Sequence, residues 1–233
     1  MALLTGEGWL FLLRWIHFLA GITWIGLLYY FNFVQTPFFA ETEPAVRSGA
    51  VQKLVPRALW WFRWGAMITF LSGWLIILHR LGQGGFFVAP YGWAILLGGL
   101  LGSLMWANVW FVIWPNQQIV IQNAIDTAAG RPANPAAAPA GARAGLASRT
   151  NTLFSIPMLF YMGAASHLQG LPVPRSGAAF WIVALIIMAA VEVNALIAQP
   201  NTTTTKPLAT VSGTLWAGFI LSAIFYIWFE IMR

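Results

Sequence analysis

Five side chains that can ionise, bind a metal or carry a proton lie within or beside strongly apolar stretches of this chain. They are Arg14, His17, His79, His167 and Glu192. Imidazole is a common protein ligand of haem, zinc and copper, guanidinium binds carboxylates in a bidentate way, and a carboxylate in apolar surroundings needs a partner or a proton. These residue types indicate redox, metal or proton chemistry.

Other kinds of site are excluded by what the chain lacks. The 233 residues contain no cysteine, which excludes iron–sulfur clusters, thiolate ligands and haem attachment through C-x-x-C-H. No H-E-x-x-H motif, phosphate-binding loop or nucleophilic Ser/His/Asp pattern is present. A metal or haem would therefore have to be held by His, Met, Tyr or a carboxylate.

The composition is that of an integral membrane protein. Hydrophobic residues make up 59% of the chain and charged residues only 8%, against about 25% charged residues in soluble domains. The net charge of +6 comes from Lys and Arg scattered over the loops, with no dense basic patch. We therefore expect membrane lipids as partners and no nucleic acid.

The apolar stretches predict one all-α membrane domain over residues 1–233, a bundle of about six transmembrane helices. A stretch of about 20 apolar residues suffices to cross a bilayer. A Pro/Ala-rich segment over 128–147 is typical of a flexible loop, and we place it in the cytoplasm. The predicted spans lie at roughly 9–34, 58–79, 91–114, 152–168, 177–198 and 209–231.

The basic residues predict the orientation of these spans. The loops after the first, third and fifth spans, with the adjacent helix ends, hold eight of the twelve Lys and Arg residues. Cytoplasmic loops carry an excess of such residues, so we expect both termini on the outer side. The eight are Arg47, Lys53, Arg57, Arg63, Arg131, Arg143, Arg149 and Lys206.

Alternating helix direction predicts that the three histidines share one side of the membrane. His79 and His167 end outward-running helices, and His17 lies roughly 12 Å into the first helix from the same side at 1.5 Å per residue. We expect His17 to bind haem b, with His167 or His79 as the second ligand and Arg14 neutralising a propionate. The same three histidines could instead hold copper or zinc, with water at an open position.

A second polar position lies deep in the fifth predicted span. Glu192, with Asn194 close by, is about 20 Å from the outer end of that helix by the same rise. Such a carboxylate is paired, protonated, or part of a proton or ion path. The candidate partners are Arg63, Asn108 and Arg149, and the sequence leaves a structural bond and a transport role both open.

Four segments, in the same order along the chain, resemble the membrane domain of the bacterial membrane-bound urate oxidase (urate hydroxylase) family. The resemblance covers most of residues 14–167. It rests on RWIHFLAGITWIGLLYYFNFVQTPFF, LVPRALWWFRWGAMITFLSG, NVWFVIWPNQ and SRTNTLFSIPMLFYMGAASH.

The resemblance implies a membrane domain of an oxidoreductase in the bacterial inner (cytoplasmic) membrane. Family members carry a cytochrome c domain after the membrane part, whereas this sequence has no C-x-x-C-H. His167 matches a histidine of the family, and Thr150 stands where we expect the family to show another. We therefore expect electrons to pass to a separate cytochrome c.

Our leading hypothesis is a haem- or metal-binding, urate-oxidase-like membrane domain with redox chemistry near the outer face. The alternative is a non-catalytic accessory subunit of a larger membrane complex, for which small-residue helix faces and many aromatic residues are also suited. A transporter that uses Glu192 and Asn194 is the third hypothesis.

Overall fold

The computed structural model describes residues 2–198 and 202–233, and within them the regular structure is entirely helical. Proline or a capping hydroxyl begins many of the helices; Thr5, Ser176 and Thr210, for example, each accept a hydrogen bond from a first-turn backbone N–H. The α-helices are α1 Gly6–Tyr29, α2 Thr36–Glu41, α3 Pro44–Lys53, α4 Val55–Gly82, α5 Pro90–Ala107, α6 Trp114–Ala128, α7 Ala137–His167, α8 Gly177–Ile197 and α9 Val211–Ile231.

Two π-helical segments join consecutive helices into longer ones. Tyr30–Gln35 connects α1 to α2, and Asn108–Ile113 connects α5 to α6. Five continuous helical stretches are long and apolar enough to cross a membrane, and the all-α membrane bundle is confirmed. They are Gly6–Glu41, Val55–Gly82, Pro90–Ala128, Gly177–Ile197 and Val211–Ile231.

Helix α7 is the centre of the bundle, although it is not among those five apolar stretches. It packs against α1, α5, α6, α8 and α9, and its middle is lined by fully buried polar residues. Because these residues meet protein rather than lipid, the helix does not need an apolar surface. Helix α7 lies where the sequence predicts the fourth of six spans, whereas five stretches meet the length and hydropathy of a membrane span. The polar residues are Thr150, Asn151, Thr152 and Ser155.

The flexible loop predicted over 128–147 is shorter in the structure. Helix α7 begins at Ala137, well before the span predicted at 152–168. Proline disfavours a helix interior but is tolerated in the first turn, where Pro139 lies. The alanines that follow favour helix formation, so the second half of this Pro/Ala-rich segment is helical.

Helices α1 and α4 pack closely in opposite directions. Gly65 lies so near α1 that a Cβ there would sit 3.2 Å from the carbonyl oxygen of Ala20 and 3.2 Å from the backbone nitrogen of Trp24. Towards the start of α1, the same relation brings Gly73 against His17. Small residues at such positions let helix backbones approach each other closely. The close packing of α1 on α4 therefore determines that His17 of α1 lies beside Gly73 of α4.

Helices α5 and α7 form a second antiparallel pair. A Cβ on Gly98 would lie 3.0 Å from Cγ of Met162 and 3.2 Å from the carbonyl oxygen of Met158. One end of the pair is tied by Asn108, whose Nδ2 donates to Oδ1 of Asn151 at 2.9 Å. The two helix pairs together enclose the space in which the candidate site lies.

Candidate functional site

His17 and His167 lie at the same end of the bundle because their helices run in opposite directions. The hydroxyl groups of Tyr29 on α1 and Ser155 on α7 are 2.9 Å apart. Each histidine is twelve residues from this contact, about 18 Å along its own helix. We call this the histidine end; it is the end at which α1 and α5 begin and α4 and α7 finish.

A cavity of about 770 Å³ opens at the histidine end between α1, α4, α5 and α7. It is mostly apolar, and Arg14, His17 and His167 are its strongly polar lining residues. Ligand pockets commonly have about 300–1,000 Å³ and a few convergent polar groups in an apolar wall. We call this space the histidine cavity.

Glycines provide much of the room in the histidine cavity. A Cβ on Gly163 would meet nothing within 4 Å, and one on Gly21 would meet only Thr69 at 3.8 Å or more. Gly73 is different, since a Cβ there would lie 2.9 Å from Cε1 of His17. The imidazole of His17 therefore lies against α4 at a position that only glycine leaves open.

The hydrogen bonds of His17 determine which ring nitrogen is available to a ligand. Its Nδ1 is 3.1 Å from Oγ of Ser72. That hydroxyl donates its own hydrogen to the backbone carbonyl of Ile68 at 2.6 Å, so it accepts from His17. His17 then carries its proton on Nδ1, and Nε2 keeps the lone pair that a metal or haem iron requires.

The other predicted ligands are placed differently from one another. His167 is the last residue of α7, is exposed, and lines the histidine cavity. Arg14 lines it one turn of α1 before His17. His79 does not line the cavity; its Nε2 is 3.2 Å from Nε2 of Gln83. The structure thus brings Arg14, His17 and His167 together and leaves His79 apart.

The histidine cavity can be compared with the ligand sets that a metal ion and a haem require. Among the described residues there is no group of three or more His, Cys, Asp or Glu side chains arranged to hold a metal. The cavity offers instead an oriented imidazole on α1, a second on α7, and apolar walls. Met158 and Met162 add thioether sulfur to the lining.

Glu192 is held by a hydrogen bond from Asn108, one of the predicted partners. Asn108 Nδ2 donates to Oε2 of Glu192 at 3.1 Å as well as to Asn151. Nδ2 of Asn151 in turn donates to the carbonyl oxygen of Met105 at 2.9 Å. Asn194 lies outside this network, and its Nδ2 donates to the carbonyl oxygen of Thr204 at 3.3 Å.

The two predicted arginine partners make no ion pair with Glu192. Arg63 stacks its guanidinium 3.8 Å above the Trp114 ring and 5.1 Å from the Trp110 centroid. Arg149 lines a different cavity at the opposite end of the bundle. The carboxyl group of Glu192 therefore belongs to an amide network within the bundle.

Comparison with known families matched residues 85–228 to the urate oxidase N-terminal family. The chain belongs to this family. The match covers more than half of the chain and includes α5 to α9, with Asn108, His167 and Glu192. No curated protein and no solved structure matched the chain.

The family match and the histidine cavity overlap only in part. The family assignment agrees with the sequence resemblance, but the matched region begins at residue 85, after the helices α1 and α4 that carry Arg14, His17 and His79. Membership in the urate oxidase N-terminal family therefore draws on the α5–α9 half. The choice of His17 as a candidate ligand therefore depends on the position of its ring beside Ser72.

Sequence reasoning did not identify the residues that orient His17. The contact of His17 with Ser72 and Gly73 joins positions 55 or more apart in the chain. The only available signal was that α4 carries small and hydroxyl-bearing residues on one face. No sequence pattern indicated the cavity around Arg149; the sequence indicated this residue only as a basic position near a helix end and as a candidate partner of Glu192.

Proposed function

We propose that this chain is a haem-binding, urate-oxidase-like membrane domain of an oxidoreductase, in which the histidine cavity holds the haem. The observation that carries the proposal is the position of His17, whose Nδ1 lies 3.1 Å from Oγ of Ser72, in a large and mostly apolar cavity; we infer that Nδ1 donates to this hydroxyl and leaves Nε2 as the ligand atom. Metal-binding histidines typically donate their other ring N–H to such a partner.

The residues have distinct roles in this proposal. His17 is the oriented ligand, and His167, at the end of α7, is the second. Arg14 neutralises a propionate or binds an anionic substrate, since guanidinium pairs well with carboxylates. A bound haem would carry one electron at a time between substrate and partner.

The partner in electron transfer is proposed to be a separate cytochrome c. If the sequence-based orientation holds, the histidine end faces the periplasm of a bacterial inner membrane. Family membership makes urate the first substrate to test. Copper or zinc is less well supported than haem, because the described residues lack a three-ligand group.

The test is the haem and metal content of the detergent-purified protein, read together with its optical spectrum. We expect about one haem per chain with a Soret band, as one cavity and one ligand pair imply. The variant His17→Ala should lose the band. His79→Ala is the matched control, because His79 lies outside the cavity, and it should keep the band.

Two results would contradict the proposal. One is wild-type protein, folded and purified from haem-supplied cells, that contains neither haem nor a stoichiometric metal. Constant co-purification of a second membrane protein in that case would favour the accessory-subunit alternative. The other is a Soret band that survives in His17→Ala but is lost in His79→Ala.

A further inference from the structure

A second, smaller cavity of about 260 Å³ lies at the end of the bundle opposite the histidines. Its walls come from α1 and the π-helical segment after it, from α4, from the α5–α6 junction, from α7 and from the turn before α9. It is larger than the dry cavity of about 150 Å³ that admits benzene in an engineered protein. We call it the arginine cavity, after Arg149.

Among the described residues, Arg149 is the only charged one that lines the arginine cavity. Its Nη1 is buried and has no hydrogen-bond partner among the described residues. No acidic side chain lines the cavity, and the ion pairs of the described chain, Arg131 with Asp126 and Arg233 with Glu230, lie elsewhere. A half-buried guanidinium without a counter-charge is costly, and a bound anion would relieve that cost.

Amide groups add further free positions around the same space. Asn32 is buried and uses both hydrogens of Nδ2, one on the carbonyl oxygen of Leu28 at 2.9 Å and one on Oγ of Ser148 at 2.8 Å. Its Oδ1 is therefore left as an acceptor. Gln35 also lines the cavity, and its Oε1 is buried without a partner.

Apolar side chains also contribute to the wall. Leu59 and Phe62 of α4 line it, together with Ile113 and Leu208. Both π-helical segments of the described chain contribute lining residues, and π-helical turns occur frequently at functional sites. The cavity thus joins one cationic group, spare amide positions and an apolar surface.

We propose that the arginine cavity binds an organic anion that directs a carboxylate or similar oxyanion at Arg149 and packs an apolar part against the apolar lining. Guanidinium recognises such groups in a bidentate way. The apolar body would pack on the α4 side, and ring N–H or carbonyl groups, where present, would meet Asn32 or Gln35. This site is separate from the histidine cavity and does not depend on the haem proposal.

The anion could come from water or from the headgroup of an acidic lipid, since both present an oxyanion. Benzoate is the probe, because it combines a carboxylate with a flat apolar ring. We would titrate it by calorimetry into the 233-residue protein in detergent, in nanodiscs of phosphatidylcholine alone, and in nanodiscs that also contain phosphatidylglycerol. Competition by phosphatidylglycerol identifies a lipid headgroup as the occupant, and its absence identifies a soluble anion.

Three variants assign binding to this cavity. Arg149→Gln removes the charge and should weaken benzoate by about tenfold to a hundredfold, the range for one charge-assisted hydrogen bond. Gly145→Leu adds an apolar side chain at the open edge of the cavity, because Gly145 is an exposed lining residue and a Cβ there meets nothing within 4 Å. The matched control Arg57→Gln alters an exposed arginine outside the lining, and binding should change by less than about twofold.

Saturable benzoate binding that Arg149→Gln and Gly145→Leu both weaken, with Arg57→Gln unchanged, supports the proposal in either membrane. If Arg149→Gln does not fold, Gly145→Leu alone decides, because it leaves every polar group in place. No saturable binding to wild-type protein, or equal weakening by Arg149→Gln and Arg57→Gln, overturns it.

Discussion

The two cavities of this bundle lie between the same central helices but are built in contrasting ways. The histidine cavity is large, and glycines on several helices provide its space. The arginine cavity is a third of that size, and Arg149 and several amide and hydroxyl side chains line it beside apolar residues. Between them lies a layer of hydrogen bonds from Tyr29 to Ser155 and from Asn108 to Asn151 and Glu192.

This contrast teaches how a polar central helix can serve two ends of a membrane domain. α7 contributes His167 to one cavity and Arg149 to the other. At the first, missing side chains admit a bulky apolar group beside one oriented imidazole. At the second, an uncompensated charge favours a small anion. The hydrogen-bonded layer separates the two environments.

The largest expected effect is that one mutation at each cavity impairs binding of that cavity's ligand and leaves the other ligand's binding unchanged. His17→Ala should lose the haem but bind benzoate as the wild type does, because His17 lies far from Arg149 along the bundle. Arg149→Gln should bind benzoate about tenfold to a hundredfold more weakly and keep the Soret band. Loss of both ligands in either variant would show that the ends are coupled, against this account.

A smaller effect is expected from the residue that orients His17. Ser72→Ala removes the acceptor of the Nδ1 hydrogen, and loss of such a partner typically costs about 10- to 100-fold in affinity for the bound group. Haem dissociation, followed by transfer to apomyoglobin, measures this. Ser103→Ala is the control, since the Ser103 hydroxyl also lines the cavity but bonds to other groups: it donates to the carbonyl oxygen of Gly99 and accepts from Nε1 of Trp74. Equal haem loss in the two variants would refute an orienting role.

The layer between the cavities can be tested through stability. Asn108→Ala removes the donor shared by Asn151 and Glu192, and leaving buried polar groups unpaired costs about 1–3 kcal/mol. Reversible unfolding in mixed micelles measures the change in free energy. Asn194→Ala removes one 3.3 Å hydrogen bond near a helix end, and it should lower the free energy of unfolding by less than Asn108→Ala does. The reverse order would mean that Asn108 does not hold this layer together.

The smallest effect is expected from two glycines of the histidine cavity. Gly73→Ala places a methyl group 2.9 Å from the His17 ring, so the ring must shift, and we expect an altered haem spectrum and about a few-fold weaker binding. Gly163→Ala adds its methyl group to open space. If Gly163→Ala changes the haem spectrum more than Gly73→Ala does, the position assigned to the His17 ring is wrong.

Much of the fold could be predicted from the sequence, because an apolar stretch long enough to cross a membrane is expected to form a spanning helix. The position of α7 could not be predicted as well. Its polar residues, such as Asn151 and Thr152, lower its hydropathy, and only the surrounding helices make them compatible with the interior. The Pro/Ala-rich composition of residues 128–147 likewise predicted a loop, whereas the chain is helical from Ala137.

The candidate site could be predicted only in part. Alternating helix direction suffices to bring His17 and His167 to one end of the bundle. It does not give the rotation of each helix, which turns His79 towards Gln83 and away from the cavity. The pairing of Glu192 with Asn108 was among the candidates, but choosing it over Arg63 and Arg149 required the side-chain geometry.

In the proposed arrangement, imidazoles from two helices that run in opposite directions reach one haem. Electron paramagnetic resonance of the frozen, oxidised protein tests it most directly, because two imidazole ligands give low-spin iron. We predict a low-spin signal that becomes high-spin in His167→Ala and stays unchanged in His79→Ala. A signal that is unaffected by His167→Ala but altered by His79→Ala would contradict this arrangement.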